Sequence, residues 1–242
     1  MSRLEIAPLN FGAAGVKPPP FSCEIMRSKR KTLAIYVKHR NVVVRCPLRA
    51  SKAELERFVD DNREWIEKRL YEESLRDKEA LKIEHGGKIF YRGRERTLVF
   101  KEGRKHRVLV NSDEFIIQGH KLNTEKAQVQ VEDFLIDRAS EYLLPRARGL
   151  ARHLGVDHKI TEIKLRKTKS KWGHCTSQGI IQYNWLIMLA PYSIIDYMIT
   201  HEVCHLVHMD HSSRFWNLVD SLCPDSERYI SWLKEHEHRF WF

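Results

Sequence analysis

The segment from Ile194 to Val207 constrains the fold more than any other. It reads Ile194-Ile195-Asp196-Tyr197-Met198-Ile199-Thr200, then His201-Glu202-Val203-Cys204-His205, then Leu206-Val207. Apolar residues surround nearly the whole circumference of a helix drawn through it, so that helix is expected to be buried. Burying two imidazoles and a carboxylate there is costly unless a partner compensates them. Positions i and i+4 share one helical face, about one turn apart, so His201 and His205 can converge on one metal ion. The Glu beside the first His can then reach a water on that metal. The segment therefore predicts a zinc-dependent hydrolase, with His201 and His205 as ligands and Glu202 as general base.

Catalytic zinc usually takes three protein ligands and keeps one position open. His208 shares a face with His201, but a rise of 1.5 Å per residue separates them by roughly 10 Å. His211 fits better. If the helix ends around Met209-Asp210, the chain turns back, and Ser212 or Ser213 can cap a new helix bearing Phe215, Leu218, Val219 and Leu222 on one stripe. His211 then stands at the junction and can point back to the metal. Asp210 reads as a turn or cap residue, with a second possibility of orienting a ligand.

The rest of the chain reads as an α+β protein. Its 242 residues suit one or two compact domains. Residues 1–20 form an expected flexible lead-in ending in Lys17-Pro18-Pro19-Pro20. Strand patterns at 32–37 and 42–46 flank Lys38-His39-Arg40-Asn41 as a hairpin. Ser51 then caps a helix, with Glu54 completing a capping box. Strand patterns at 88–91, 97–100, 107–110 and 115–117 predict a mostly antiparallel sheet, with turns at the intervening glycines and Asn111-Ser112-Asp113. A long helix is expected after Asn123-Thr124, with Pro145 as a potential kink and Gly155 as its stop. Strands at 160–165 and 180–185 follow, and 191–242 looks entirely helical. No internal repeat is visible. The expected division is a flexible 1–20, a β-rich region with one helix over 21–120, and a catalytic region over 121–242.

Charge is uneven. Residues 191–242 hold four Lys/Arg against eight Asp/Glu, a balance of −4, which leaves the preceding residues at +14 of the total +10. Two basic groups stand out: Lys164, Arg166, Lys167, Lys169 and Lys171, and Arg92, Arg94, Arg96, Lys101, Arg104, Lys105 and Arg107. Such groups can attract an anionic substrate or nucleic acid, although charge runs more often simply face water. The five cysteines are odd in number and lack CxxC spacing, so buried reduced thiols are expected. No stretch approaches the roughly 18 consecutive apolar residues of a membrane span, and the start lacks a signal peptide's apolar core. A cytoplasmic protein without membrane attachment is the expectation.

Three blocks carry a family resemblance: Lys171-Trp172-Gly173-His174-Cys175-Thr176; Ile181-Gln182-Tyr183-Asn184-Trp185 with Leu189-Ala190-Pro191; and Ile195-Asp196-Tyr197 through the His201 motif to His211-Ser212-Ser213-Arg214-Phe215-Trp216. Together they resemble the YgjP-like (DUF45) family of M48-type metallopeptidases, related more distantly to the SprT-like proteases. The resemblance covers most of residues 21–235. It implies a compact zincin-like domain, an active-site helix beside a small sheet, with one catalytic zinc on His201, His205 and His211 and with Glu202 as base. One departure is visible: His174 stands where the family usually has Ser. The resemblance to zincins also points to residues 180–185 as the edge strand that pairs with substrate backbone.

The resulting reading is a metallopeptidase acting on a peptide or unfolded protein, in which zinc-bound water activated by Glu202 attacks the carbonyl. Tyr183, His174 and Asn184 are the candidate oxyanion donors. The alternatives are a metal-dependent nucleotide phosphohydrolase of the nucleoside triphosphate pyrophosphatase type, for which the Lys164–Lys171 run would clamp phosphates, and a nucleic-acid-associated protease. Oligomeric state is not legible.

Overall fold

The computed structural model describes residues 6–9, 20–38, 41–79, 81–168 and 171–242. Most of the lead-in, His39 and Arg40 of the hairpin turn, and Lys169 of the basic run lie outside them. The chain forms two compact units, Met1–Glu79 and Ala80–Phe242.

The first unit begins with β1 (Ile6–Pro8), which pairs with β2 (Cys23–Ser28). The expected flexible lead-in is thus corrected at Ile6–Pro8: this piece adds an edge strand, where a proline is tolerated. The expected hairpin forms from β3 (Ala34–Lys38) and β4 (Asn41–Pro47). The strand order is β1-β2-β4-β3, with β2 and β4 parallel. Val42, Val44 and Cys46 alternate inward on β4, as the period of two requires. They meet Leu55 and Val59 of α1 (Lys52–Asp61) and Ile66 of α2 (Arg63–Glu79). Ser51 caps α1 by accepting the Glu54 N–H at 3.2 Å. The single expected helix is broken at Asn62, which leaves α1 with φ −107° and ψ 12°.

The second unit holds two sheets. The first contains β5 (Lys88–Tyr91), β6 (Arg94–Glu102), β7 (Arg107–Val110) and β8 (Glu114–Gly119), in the order β5-β6-β8-β7. Only its central β6–β8 pair is parallel. The long helix α3 (Thr124–His153) follows, capped by Asn123 accepting from Lys126 N at 2.9 Å. It continues through Pro145, and Gly155 beyond it takes the left-handed φ of 71° that ends it.

The buried residues of α3 are Ala127, Val131, Leu135, Ala139, Leu143, Ala147 and Ala151, one every four positions. Four residues at about 100° each overshoot one turn by about 40°. The stripe therefore winds around the helix, and one helix serves neighbours on different sides. Its neighbours include β7 and β8 as well as β9 (Glu162–Arg166) and α4 (Tyr192–Cys204). That is why the boundary expected near residue 120 does not separate two cores: β8 and α3 contribute to the same one. The second sheet of this unit has the order β10-β11-β9, with β10 (Gly173–Cys175) and β11 (Ile180–Asn184) antiparallel and β9 parallel to β11. A buried 3-10 turn at Trp185–Leu189 leads into α4, and α5 (Ser213–Leu222) and α6 (Ser226–His236) complete an α+β fold. Among the described residues, no helix is long and apolar enough to cross a membrane.

Candidate metal centre

Helix α4 is as buried as its sequence demands. Ile194, Ile195, Tyr197, Met198, Ile199, Val203 and Cys204 are all in the core. Its last turn carries His201 and Glu202, and His205 is its C-cap. The chain then turns, held by Lys159 Nζ donating to the Leu206 carbonyl at 2.9 Å. This turn returns His211 toward the helix just before α5 begins.

His201, His205 and His211 each offer a nitrogen, and these atoms lie within 4.8 Å of one another. The Nε2 atoms of His201 and His211 are 3.3 Å apart. Two nitrogens held at about 2.0–2.1 Å by one tetrahedral zinc would be about 3.3 Å apart. The donor set therefore fits a metal of that preference. The tautomers fit too. His205 Nδ1 lies 3.1 Å from the His208 carbonyl, an acceptor only, so Nδ1 carries the proton and Nε2 keeps a free lone pair for a metal. His201 Nδ1 lies 3.4 Å from the Tyr197 hydroxyl. Burial, then His205 and His211, push the His201 pKa down to about 3, so it is neutral at ordinary pH. Burial also lowers that of His205, as do His211 and His174. Phe215 stacks on His205 with ring centroids 4.4 Å apart, and Trp216 borders His211 at 5.8 Å. The first turn of α5 thus walls the cluster with aromatic rings.

Glu202 is only 3% exposed, and its Oε2 is buried with no hydrogen-bond partner. Burial raises its pKa to about 8, opposed by the charge of Lys171. A buried carboxylate without a donor is rare enough to require a reason. Part of the reason is Gly173 on β10. A Cβ built there would lie 2.6 Å from Glu202 Cγ, so only glycine lets the carboxylate lie flush against the strand. β10 itself is anchored at Trp172, whose indole N–H donates to Glu237 at 2.9 Å and whose carbonyl accepts from Asn184 N at 2.8 Å.

The remaining expected site residues separate clearly. His208 contributes its backbone carbonyl and not its ring. Asp210 accepts from Ser212 N at 3.3 Å, as a turn residue does, and the Ser212 side chain and then its backbone N–H lower the Asp210 pKa. Tyr183 is fully buried with its hydroxyl 3.5 Å from the Ile199 carbonyl. The Asn184 amide donates to the Thr168 carbonyl at 3.0 Å while its oxygen accepts from Leu186 N. Both are thereby occupied in the scaffold. His174 is exposed on β10.

The expectation that 180–185 is a free edge is corrected: β11 is the central strand, paired on both sides, and β10 is the edge beside α4. The Trp172-Gly173 pair was a visible signal, but nothing local in three residues marks an edge strand. The Lys164–Lys171 run is partly paired. Lys164 pairs with Glu162 and Lys167 with Glu132, each at 2.8 Å, and the charge of Lys171 acts on the Glu202 carboxyl.

A comparison with curated proteins finds no match. The model of one protein family, described as YgjP-like, metallopeptidase domain, matches residues 31–236. Since that match takes in most of the chain, together with the helix, the turn and the strand that gather the histidines and Glu202, the chain belongs to the YgjP-like family of metallopeptidase domains.

Proposed function

We propose that this chain is a zinc metallopeptidase in which His201, His205 and His211 hold the metal and Glu202 is the general base. The observation that carries the reading is the 3.3 Å separation of two imidazole Nε2 atoms in a cluster of three histidines, beside a buried carboxylate oxygen with no partner. Zinc bound there supplies a Lewis acid that polarises a carbonyl and acidifies water. The chain's own groups do the rest. A cation on the histidines would draw the raised pKa of Glu202 back down, so that Oε2 accepts the proton of the attacking water and passes it to the leaving amine. The His208 carbonyl keeps His205 in the tautomer that leaves Nε2 available. The outer edge of β10 pairs with an extended peptide, because an edge strand offers unpaired backbone donors and acceptors. His174 donates to the carbonyl oxygen: it is exposed on that edge next to Gly173, and it is near enough to His205 to lower its proton affinity.

A peptide substrate has more support than a nucleotide, because Lys164 and Lys167 are already neutralised by Glu162 and Glu132. The test is a parallel assay of unfolded proteins, peptides and nucleoside triphosphates with wild type and Glu202→Gln. The variant keeps its zinc and loses peptide hydrolysis by about 10²–10⁴-fold, the usual contribution of a general base. Undiminished turnover in Glu202→Gln removes Glu202 from the role, and turnover of triphosphates alone removes the peptidase reading.

A further inference from the structure

The turn joining β5 to β6 carries a residue that its geometry disfavours. Arg92 and Gly93 form a two-residue connection with φ of 53° and 75°. Such a turn favours Asn-Gly, because both central residues are left-handed. An arginine there stores backbone strain, and strain of this kind is a pointer to function. The side chain is held in place. Its guanidinium lies 4.9 Å from the ring centroids of both Tyr91 and Tyr192. Its Nε is nevertheless buried without a hydrogen-bond partner, and so is Nε of Arg138 on α3.

These two arginines join Arg94 and Arg96 in a cleft of 550 Å³. Arg96 is fastened to backbone, donating to the carbonyls of Asn111 at 2.7 Å and Tyr91 at 2.8 Å. Burial, then Arg94 among its neighbours, lowers its pKa, and Asp113 partly opposes them. Arg138 pairs with Glu141 at 2.8 Å. Among the described residues, no carboxylate forms an ion pair with Arg92, Arg94 or Arg96. Three arginines without an ion-pair partner among the described residues, beside the unsatisfied Nε groups of Arg92 and Arg138, suit a compact anion of multiple charge. The guanidinium fork matches phosphate oxygens in geometry as well as sign.

The sheet excludes a long basic track. Arg94 and Arg96 share the face of the buried Leu98, whereas Lys101 projects from the other face, where Arg107 bonds Gln118 at 2.8 Å. The basic residues of this sheet therefore divide, and the cleft collects only some of them. It also stands apart from the histidines. Tyr192 begins α4, and His201 follows nine residues later, about 14 Å along the axis.

We infer that this cleft is a phosphate-binding site, separate from the metal centre, that takes a phosphoryl or pyrophosphoryl group held by Arg92, Arg94, Arg96 and Arg138. The phosphate belongs to a small phosphorylated compound or to the end of a nucleic acid, and the test separates these sources. Inorganic pyrophosphate and a 5′-phosphorylated single-stranded oligonucleotide are titrated calorimetrically into the full zinc-loaded chain. The double variant Arg92→Asn, Arg94→Gln loses at least about tenfold in affinity for whichever probe binds, as removal of charge-assisted bonds implies. It keeps its thermal midpoint and its peptidase activity, because asparagine suits the turn. Lys101→Gln with Arg107→Gln, on the opposite face, leaves affinity unchanged. Stronger binding of the oligonucleotide assigns the nucleic-acid source, and stronger binding of pyrophosphate assigns the small compound. Saturable binding of neither probe overturns the inference. So does binding that survives in the double variant, which would place the anion on the zinc or elsewhere.

Discussion

Two four-stranded sheets in this molecule share one plan and serve different ends. Each runs edge strand, central strand, central strand, edge strand, as β1-β2-β4-β3 and β5-β6-β8-β7, with only the central pair parallel. Each is followed by a helix with a side-chain N-cap, Ser51 in one case and Asn123 in the other. The first closes over a core of its own around Val44, Leu55, Val59 and Ile66. The second shares its core with α4 and the three-stranded sheet that borders Glu202. The difference lies in the helices. α1 and α2 are separate helices of 10 and 17 residues divided at Asn62, whereas α3 runs for 30 residues with a stripe that winds from one layer to the next. The same sheet becomes a separate unit or part of the scaffold around the histidines according to the helix that follows it.

The largest expected effects test that division. Leu55→Ala and Leu135→Ala each remove a fully buried leucine, at a cost of about 2–5 kcal/mol. Hydrogen exchange resolved by segment should rise across β2 and β4 in the first variant and across β8 and α4 in the second. Only the second should retain zinc less well. Equal spread of both effects through the chain would break the comparison.

A smaller effect sharpens it at the site. Gly173→Ala drives a methyl group into Glu202. Overpacking of this kind costs about 1–3 kcal/mol, and the displaced carboxylate should lower kcat more than it raises KM. Unchanged kcat would mean that Gly173 is only a packing residue. The smallest effect is expected from His208→Ala. His205 uses the backbone carbonyl at 208 and not its ring, so zinc affinity should fall by less than the 10–100-fold typical of a lost outer partner. A loss of that full size, measured by competition with a chelator, would show that the ring matters.

Much of this was legible in sequence where the signal is local. The inward alternation of Val42, Val44 and Cys46, the caps at Ser51 and Asn123, the stop at Gly155 and the all-round apolar character of α4 each follow from a few adjacent residues. So does the pairing of His201 with His205, whereas the return of His211 depends on a helix that ends at Cys204, earlier than the Met209-Asp210 expected. What was not legible depends on distant pairing. Nothing in Cys23–Ser28 names β4 as its parallel partner, and nothing in Gly173–Cys175 declares that its outer side stays free. The boundary expected near residue 120 fails for the same reason: a four-residue repeat of apolar side chains does not say which layer each turn will meet.

The central claim is that three histidines hold one zinc. Elemental analysis of the protein purified without chelators, beside His211→Ala prepared identically, tests it most directly. The account predicts about one zinc per chain for wild type, as for a mononuclear catalytic site, and a much lower content for the variant. A wild-type chain that neither carries nor takes up zinc would contradict it, as would a His211→Ala variant that holds the metal equally well.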